Sequence, residues 1–443
     1  FQRNNKNETM SVYLVCITTG GGIPILSRKH GDIKSLPFPL LASLNGVALF
    51  GESHDINLIS TSTRDCRIVW RDFHNSIRLI VAVSNDTISE VHIHKLLDLI
   101  FQSMVLTVGL NDLVGQRNVE RTKRDLRASY FIIDRLISLM SPSESYTNFG
   151  DLVGAADCVV FPESHLIQNY LESYVESVDS TYGCVMVDGR IACATKNWWS
   201  LHPDEINLLS LSVLTDNWST LRDVPIFLPV KSPTVPFRFI VCQLLANVTV
   251  CSLCGPAPQL PAIEGMIQKN WKSTHNLLSS LASIVPRGFP SVPIDSNILG
   301  LILVNLDNKR VISSLQPIIT DPMAKDPLGP TTRNMPNARK FDILRTFYRN
   351  TVGPIFPDHF VPTPHAADAK GDFPSMNVSH AVLKHPVGET YQCSEFHKCY
   401  ALQHRQYQLF LLFTSNIPNH FMRNSAHRTL QLFLSDKTFQ IIR

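Results

Sequence analysis

No stretch of this chain is apolar for the roughly 20 residues a helix needs to cross a bilayer. The longest apolar runs, such as IRLIVAV from Ile77 and ILGLILV from Ile298, are far shorter, so the chain reads as soluble. Charge is also scarce. Asp, Glu, Lys and Arg make up 17 % of the 443 residues and the net charge is +3. That excludes the strong basic imbalance of a nucleic-acid binder and favours protein partners. The ten cysteines lack the dense spacing of a disulfide scaffold and read as reduced thiols of a cytoplasmic protein. Near the start only Val12 to Ile17 is apolar, too short for a signal peptide, and Met10 reads as the initiator.

Catalytic motifs are missing too. TTGGGIP lacks the Lys and Ser/Thr that hold phosphates and magnesium, and reads as a hairpin turn. ESHD, Glu52 to Asp55, holds Ser, His and Asp side by side, whereas a triad converges from separate places, so it reads as a surface loop. No nucleophile elbow or zinc-protease helix is present. Cys251 and Cys254 in CSLC, with Cys393, His397 and Cys399 further on, raise structural zinc, which needs four ligands in tetrahedral reach. Cys251 lies in an apolar strand pattern and five residues separate Cys393 from Cys399, which favours buried free thiols. No cofactor or metal is expected.

What is present is a pattern that returns. At this length two to four domains are the rough prior. Hairpin signals stand at Val12 to Ser27, at Gly183 to Thr195 with Asp188 and Gly189 at its turn, and at Ile298 to Leu315. Each is followed by a helix-like stretch: residues 36–51, 202–215 and 337–350, with Pro37 and Pro203 near helix starts. Further strands come next, and one or two helices close each unit. The spacing predicts antiparallel sheets flanked by helices, repeated three times. Polar, Gly- and Pro-containing breaks begin at Ser141 and Pro286, and a Pro-rich insertion over 351–390 is expected to be largely disordered. The domains are therefore expected at 10–140, 155–286 and 295–443.

One stretch is unusual in its chemistry. In NVERTKRDLRASYFIID, Val119, Leu126, Tyr130, Ile133, Ile137 and Met140 recur on one helical face, which marks core. Arg117, Arg121, Lys123, Arg124 and Arg127 lie off that seam against only Glu120 and Asp125. The basic flank is either a solvated face with internal pairs such as Glu120 with Arg124, or a contact for an acidic protein or a phosphoinositide headgroup. Trp198 and Trp199 likewise read as core or as an interface pair.

LPFPLLASLNGVALFG from Leu36, NVERTKRDLRASYFIID, SPTVPFR from Ser232, CSLCGPAP from Cys251 and NILGLILV from Asn297 resemble, in that order, the Fuzzy family of planar cell polarity effectors. The resemblance runs from about Val12 to the C-terminus. It implies an α+β fold of three tandem longin-like domains, each a five-stranded antiparallel sheet flanked by helices. It also implies pairing with an Inturned-like longin protein and a Fritz-like WD-repeat protein, in a regulatory complex without covalent chemistry. That complex would act as guanine nucleotide exchange factor for a Rab-type small GTPase at the ciliary base and basal body, and would meet phosphoinositide membranes. The partner surface is then expected on residues 36–52, with Leu41, Leu44 and Phe50 as apolar contacts and Arg121, Lys123, Arg124 and Arg127 as electrostatic ones. Trp198 and Trp199 are further candidates. A scaffold that binds a GTP-loaded GTPase or lipid without exchange is the alternative. An enzyme acting covalently on a small molecule is disfavoured, because no nucleophile and base can be named.

Overall fold

The computed structural model describes residues 11–31, 36–63, 66–84, 88, 90–115, 118–138, 149–214, 220–285, 287–288, 292–316, 335–356 and 387–442. Met10, Arg117, Met140, the break at 141–148 and most of the 351–390 insertion lie outside them. The chain forms two compact units, 1–290 and 291–443.

The first unit begins with a hairpin, β1 (Val12–Thr18) and β2 (Pro24–His30), followed by helix α1 (Phe38–Glu52). Strands β3 (Ser60–Ser62), β4 (Arg67–Phe73) and β5 (Ile77–Val83) complete an antiparallel sheet in the order β2-β1-β5-β4-β3. Helices α2 (Glu90–Val108), α3 (Leu110–Gly115), α4 (Val119–Asp125) and α5 (Tyr130–Ser138) follow, with a 3-10 turn at Leu126–Ser129 between the last two. The sheet has two apolar faces, because strand side chains alternate. Val12, Leu14, Cys16, Leu79 and Val81 join the core that holds α2 and α5. Tyr13, Val15, Ile17, Trp70 and Ile80 form a smaller cluster with Leu41 and Ala48 of α1.

The same plan recurs within this unit. After α6 (Gly150–Val153), β6 (Ala156–Cys158) and α7 (Ser164–Ser177) come β7 (Tyr182–Val187), β8 (Arg190–Ala194), α8 (Pro203–Val213), β9 (Leu221–Leu228), β10 (Ser232–Leu245) and β11 (Val248–Cys254). Their order is β8-β7-β11-β10-β9, the first sheet's order again, with β6 added in parallel beside β8. The Asp188–Gly189 turn takes φ values of 48° and 73°, the left-handed pair that a two-residue hairpin needs. Helices α9 (Leu260–Trp271) and α10 (His275–Ala282) close the domain. Three elements depart from the expected pattern: α6, β6 and α7 fall where a hairpin-first repeat leaves only a linker.

Helix α2 joins the two sheets. From Leu96 to Leu106 its residues are buried on every side except Asp98 and Gln102, so it has no solvated face. It packs on β4 of the first sheet and on β9 and α8 of the second, and the side chains of both domains form one continuous core. By length and composition α2 could cross a bilayer, a test that a buried core helix also passes.

The second unit holds β12 (Ile298–Asn305), β13 (Arg310–Leu315), α11 (Asn337–Thr351), β14 (Glu389–Cys393), β15 (His397–His404), β16 (Tyr407–Thr414) and α12 (Asn419–Ser435). Its strands run β13-β12-β16-β15-β14, the same order a third time. Phe410 of β16 is ringed by Phe347 and Tyr348 of α11 and by Phe356, at centroid distances of 5.0–6.2 Å. In YQCSEFHKCYALQH, β14 and β15 pair antiparallel as a hairpin around Ser394–Phe396.

Two outcomes are expected from α2. Leu97→Ala, at a fully buried site, should cost about 2–5 kcal/mol. Calorimetry should show the first two domains melting in one shared transition, since they share the core it weakens. Asp98, on α2, has its carboxyl pushed up to about 6 by burial and by nearby Asp204, against the pull of Arg71 2.7 Å away. A raised folded-state pKa means that this group's stabilisation is present at low pH and lost as pH rises through about 6. Relative to Asp98→Asn, the native chain should therefore lose stability between pH 4 and pH 7, by up to about 3 kcal/mol. Paired melts across that range check it.

Candidate functional site

Helix α1 starts behind Pro37, whose fixed φ suits a helix entrance, and ends at Ser53, whose hydroxyl donates to the Phe50 carbonyl at 2.7 Å. Only Leu41, Asn45 and Ala48 of its fifteen residues are buried. Leu44 is half-buried, and its carbonyl accepts from Trp70 Nε1 at 3.3 Å. The outer side carries large apolar groups in water. Leu40, Val47 and Phe50 recur at seven and three residues, which puts them on one stripe. Phe38 and Leu49 flank the other side, with Ala42 and Gly46 between, and Ile56 and Ile59 extend the patch towards β3. Phe50 is 67 % exposed.

The corresponding helix in the second repeat shows what such a helix normally meets. In α8, Ile206, Leu208, Leu209, Leu211 and Val213 are all buried, and α2 and α5 of the first domain lie against it. Helix α11 of the third repeat also buries Phe341, Leu344, Phe347 and Tyr348. Helix α1 alone among the three keeps an uncovered apolar side. An exposed patch of this kind is a candidate interaction surface.

The basic flank lies elsewhere. The Asn118 side chain caps α4, accepting from the Arg121 backbone N–H at 3.0 Å. Leu126, Ile133 and Ile137 are buried, and Val119 and Tyr130 pack against the same core, as their spacing predicts. Arg121 and Arg124 stand out with side chains 66 % and 70 % exposed. The expected Glu120–Arg124 pair is replaced. Lys123 meets Glu120 at 2.7 Å, while Arg121 and Arg124 share Asp125 at 3.4 and 3.5 Å. Arg127 is exposed on the 3-10 turn. Next to this flank Arg28 of β2 stacks on Tyr130 at 4.5 Å and pairs with Asp134 of α5. Because α4 and α5 belong to the core on one face of the first sheet and α1 to the other, the apolar and basic candidates form two surfaces.

Two candidates are corrected by burial. Leu41 is 8 % exposed and faces the sheet, and Trp198 is fully buried in the core of the second domain, so neither side chain can meet a partner directly. Trp199 is half-buried against that core. Phe38, Leu40, Val47 and Leu49 replace them; the signal was present, since α1 is apolar around its whole circumference.

Reactive chemistry is not assembled at either surface. Cys251 joins the core on one face of β11 and Cys254 the cluster on the other, so the two cannot share a metal. Burial pushes the thiols of Cys193 and Cys399 up to about 12 and that of Cys242 to about 11, which leaves them protonated and inert. Among the described residues no cluster of three His, Cys, Asp or Glu could hold a metal. In ESHD, Glu52 pairs with Arg78.

Family models match the chain in three successive blocks: the first longin domain of FUZ, MON1 and HPS1 over residues 12–136, the second over 178–272 and the third over 297–437. Curated relatives match along nearly the whole length. The Protein fuzzy homolog of Xenopus tropicalis is 36 % identical over 434 residues, covering 98 % of this chain and 100 % of the relative. That of Homo sapiens is 35 % identical over 441 residues, covering 95 % and 96 %. That of Mus musculus is 35 % identical over 428 residues, with the same coverage.

Substitution should separate surface from core. Reversing Arg121, Arg124 and Arg127 to Glu together should change stability by only about 1 kcal/mol, since each is solvated. Trp198→Ala should cost about 3–5 kcal/mol. Chemical denaturation of both variants reads the difference.

Proposed function

The chain belongs to the family of three-longin proteins represented by FUZ, MON1 and HPS1, and on that premise we propose that it is a subunit of a guanine nucleotide exchange factor. It pairs with an Inturned-like longin protein, and the pair speeds nucleotide release from a Rab-type small GTPase. A Fritz-like WD-repeat protein completes the complex, which works at the ciliary base, on the cytoplasmic side of phosphoinositide-bearing membranes.

The uncovered apolar side of α1 carries this reading. A regulator whose ligand is a folded protein needs shape and apolar area rather than a nucleophile. Exchange follows when the nucleotide-free GTPase is bound more tightly than the loaded one, because a ligand shifts an equilibrium only by its differential affinity. Leu40, Leu44, Val47 and Phe50 supply apolar contact for the protein partners. Arg121, Lys123, Arg124 and Arg127, on the other face of the sheet, supply salt-sensitive attraction to an acidic protein or lipid surface.

The deciding experiment is release of a fluorescent guanine nucleotide from a panel of Rab GTPases with this chain alone, the Inturned-like protein alone, and both. The pair is expected to accelerate release from one GTPase by at least about tenfold, a barrier change of about 1.4 kcal/mol, while neither chain does so alone. Retained binding to the GTP-loaded form without acceleration would make the chain a scaffold. In the exchange case, Val47→Asp with Phe50→Asp should abolish the acceleration.

A further inference from the structure

Helix α1 rests on its sheet with little apolar contact, and the centre of its buried face is polar. Asn45, buried between Leu41 and Ala48, meets Arg78 of β5, whose side chain is 2 % exposed. Arg78 shares its face of the sheet with Ile80, one step along the alternation. Directly opposite it in the β4–β5 register stands Asp72. Arg78 Nε donates to Asp72 Oδ1 at 2.7 Å and Nη2 to Oδ2 at 2.6 Å, a bidentate pair that fixes the plane of the guanidinium. The same fork also reaches the helix: Nη1 donates to Asn45 Oδ1 at 3.0 Å and Nη2 to the Glu52 carboxylate. Asn45 and Glu52 are seven residues apart, two turns of helix on one stripe. From the other side Gly22, at φ 61°, approaches so closely that a Cβ there would come within 2.8 Å of Asn45 Nδ2.

We propose that Arg78 is the positioning residue of the docking helix, setting the rotation and height of α1 on the sheet and so the direction in which Leu40, Val47 and Phe50 face a partner. This rests on the reading that α1 is a docking surface. A guanidinium that must satisfy three acceptors at fixed angles defines geometry well, while its own desolvation offsets much of the attraction it gains. Asp72 and Glu52 are 34 % and 44 % exposed, so water can take over when the fork is lost. What disappears with Arg78 is the register of α1 rather than the fold of the domain.

Arg78→Lys separates the two, because a point-charge ammonium on a different stem can keep Asp72 without bridging Asn45 and Glu52. Expected are a melting temperature within about 3 °C of the native chain, with amide exchange across 40–52 faster by about tenfold. Affinity for a purified Inturned-like longin chain should fall by about tenfold as well. Glu52→Gln, at a half-exposed site where folding is not at risk, should show smaller effects of the same sign. Native exchange in α1 together with native affinity in both variants would overturn the proposal. Val47→Asp with Phe50→Asp tests the reading beneath it: lost affinity at native exchange supports docking through α1. Native affinity there overturns the docking surface alone, and Arg78 is then judged by exchange.

Discussion

The structure of the first two domains depends on the burial of α2. A helix whose residues from Leu96 to Leu106 are almost all withdrawn from water needs apolar cover on every side, and one five-stranded sheet covers only one. The second sheet and α8 supply the rest, which makes two longin domains into one unit with a shared core between their sheets. The same contact covers α8. Among the described residues of the unit, nothing comparable covers α1, on the far face of the first sheet. One topology, used three times, thus yields two helices sealed by their surroundings and one with its outer apolar side open.

That asymmetry suits a regulatory longin protein. Most groups that could react have been withdrawn from reaction: eight of the ten thiols are buried, the Ser, His and Asp of ESHD are neighbours rather than a relay, and Glu52 is tied to Arg78. The groups left in water on the first domain include large apolar side chains and guanidiniums. Large apolar side chains on α1 and guanidiniums on α4 stand on opposite faces of one sheet.

Polar anchors do structural work where apolar contact is thin. Glu205, fully buried at the start of α8, accepts from the backbone N–H groups of His202, Val230 and Lys231 at 2.8–3.0 Å, capping the helix and holding the β9–β10 turn. Arg78 does the corresponding work for α1. In each case one polar side chain with several fixed partners joins elements distant in sequence.

Much of this was legible in the sequence because it is local. Alternation and turn chemistry marked the hairpins, down to the two left-handed residues at Asp188 and Gly189, and the spacing of Leu126, Ile133 and Ile137 marked a buried helical seam. Helix α7 carried such a signal as well, in Ile167, Leu171, Tyr174 and Val178, but it stands ahead of its hairpin, outside the order of the repeat. What the chain could not reveal alone is which side of an apolar element is already covered. Leu41 and Phe50 lie on one helix with the same affinity for an apolar surrounding, and Trp198 and Trp199 are neighbours. Only the sheet beneath α1 and the core around Trp198 decide which of them remains in water. The pairing of Glu120 with Lys123 rather than Arg124, and the placing of α1 and α4 on opposite faces, were likewise settled in three dimensions. Periodicity states that a residue is apolar and where it points along its own element; burial depends on what else arrives there.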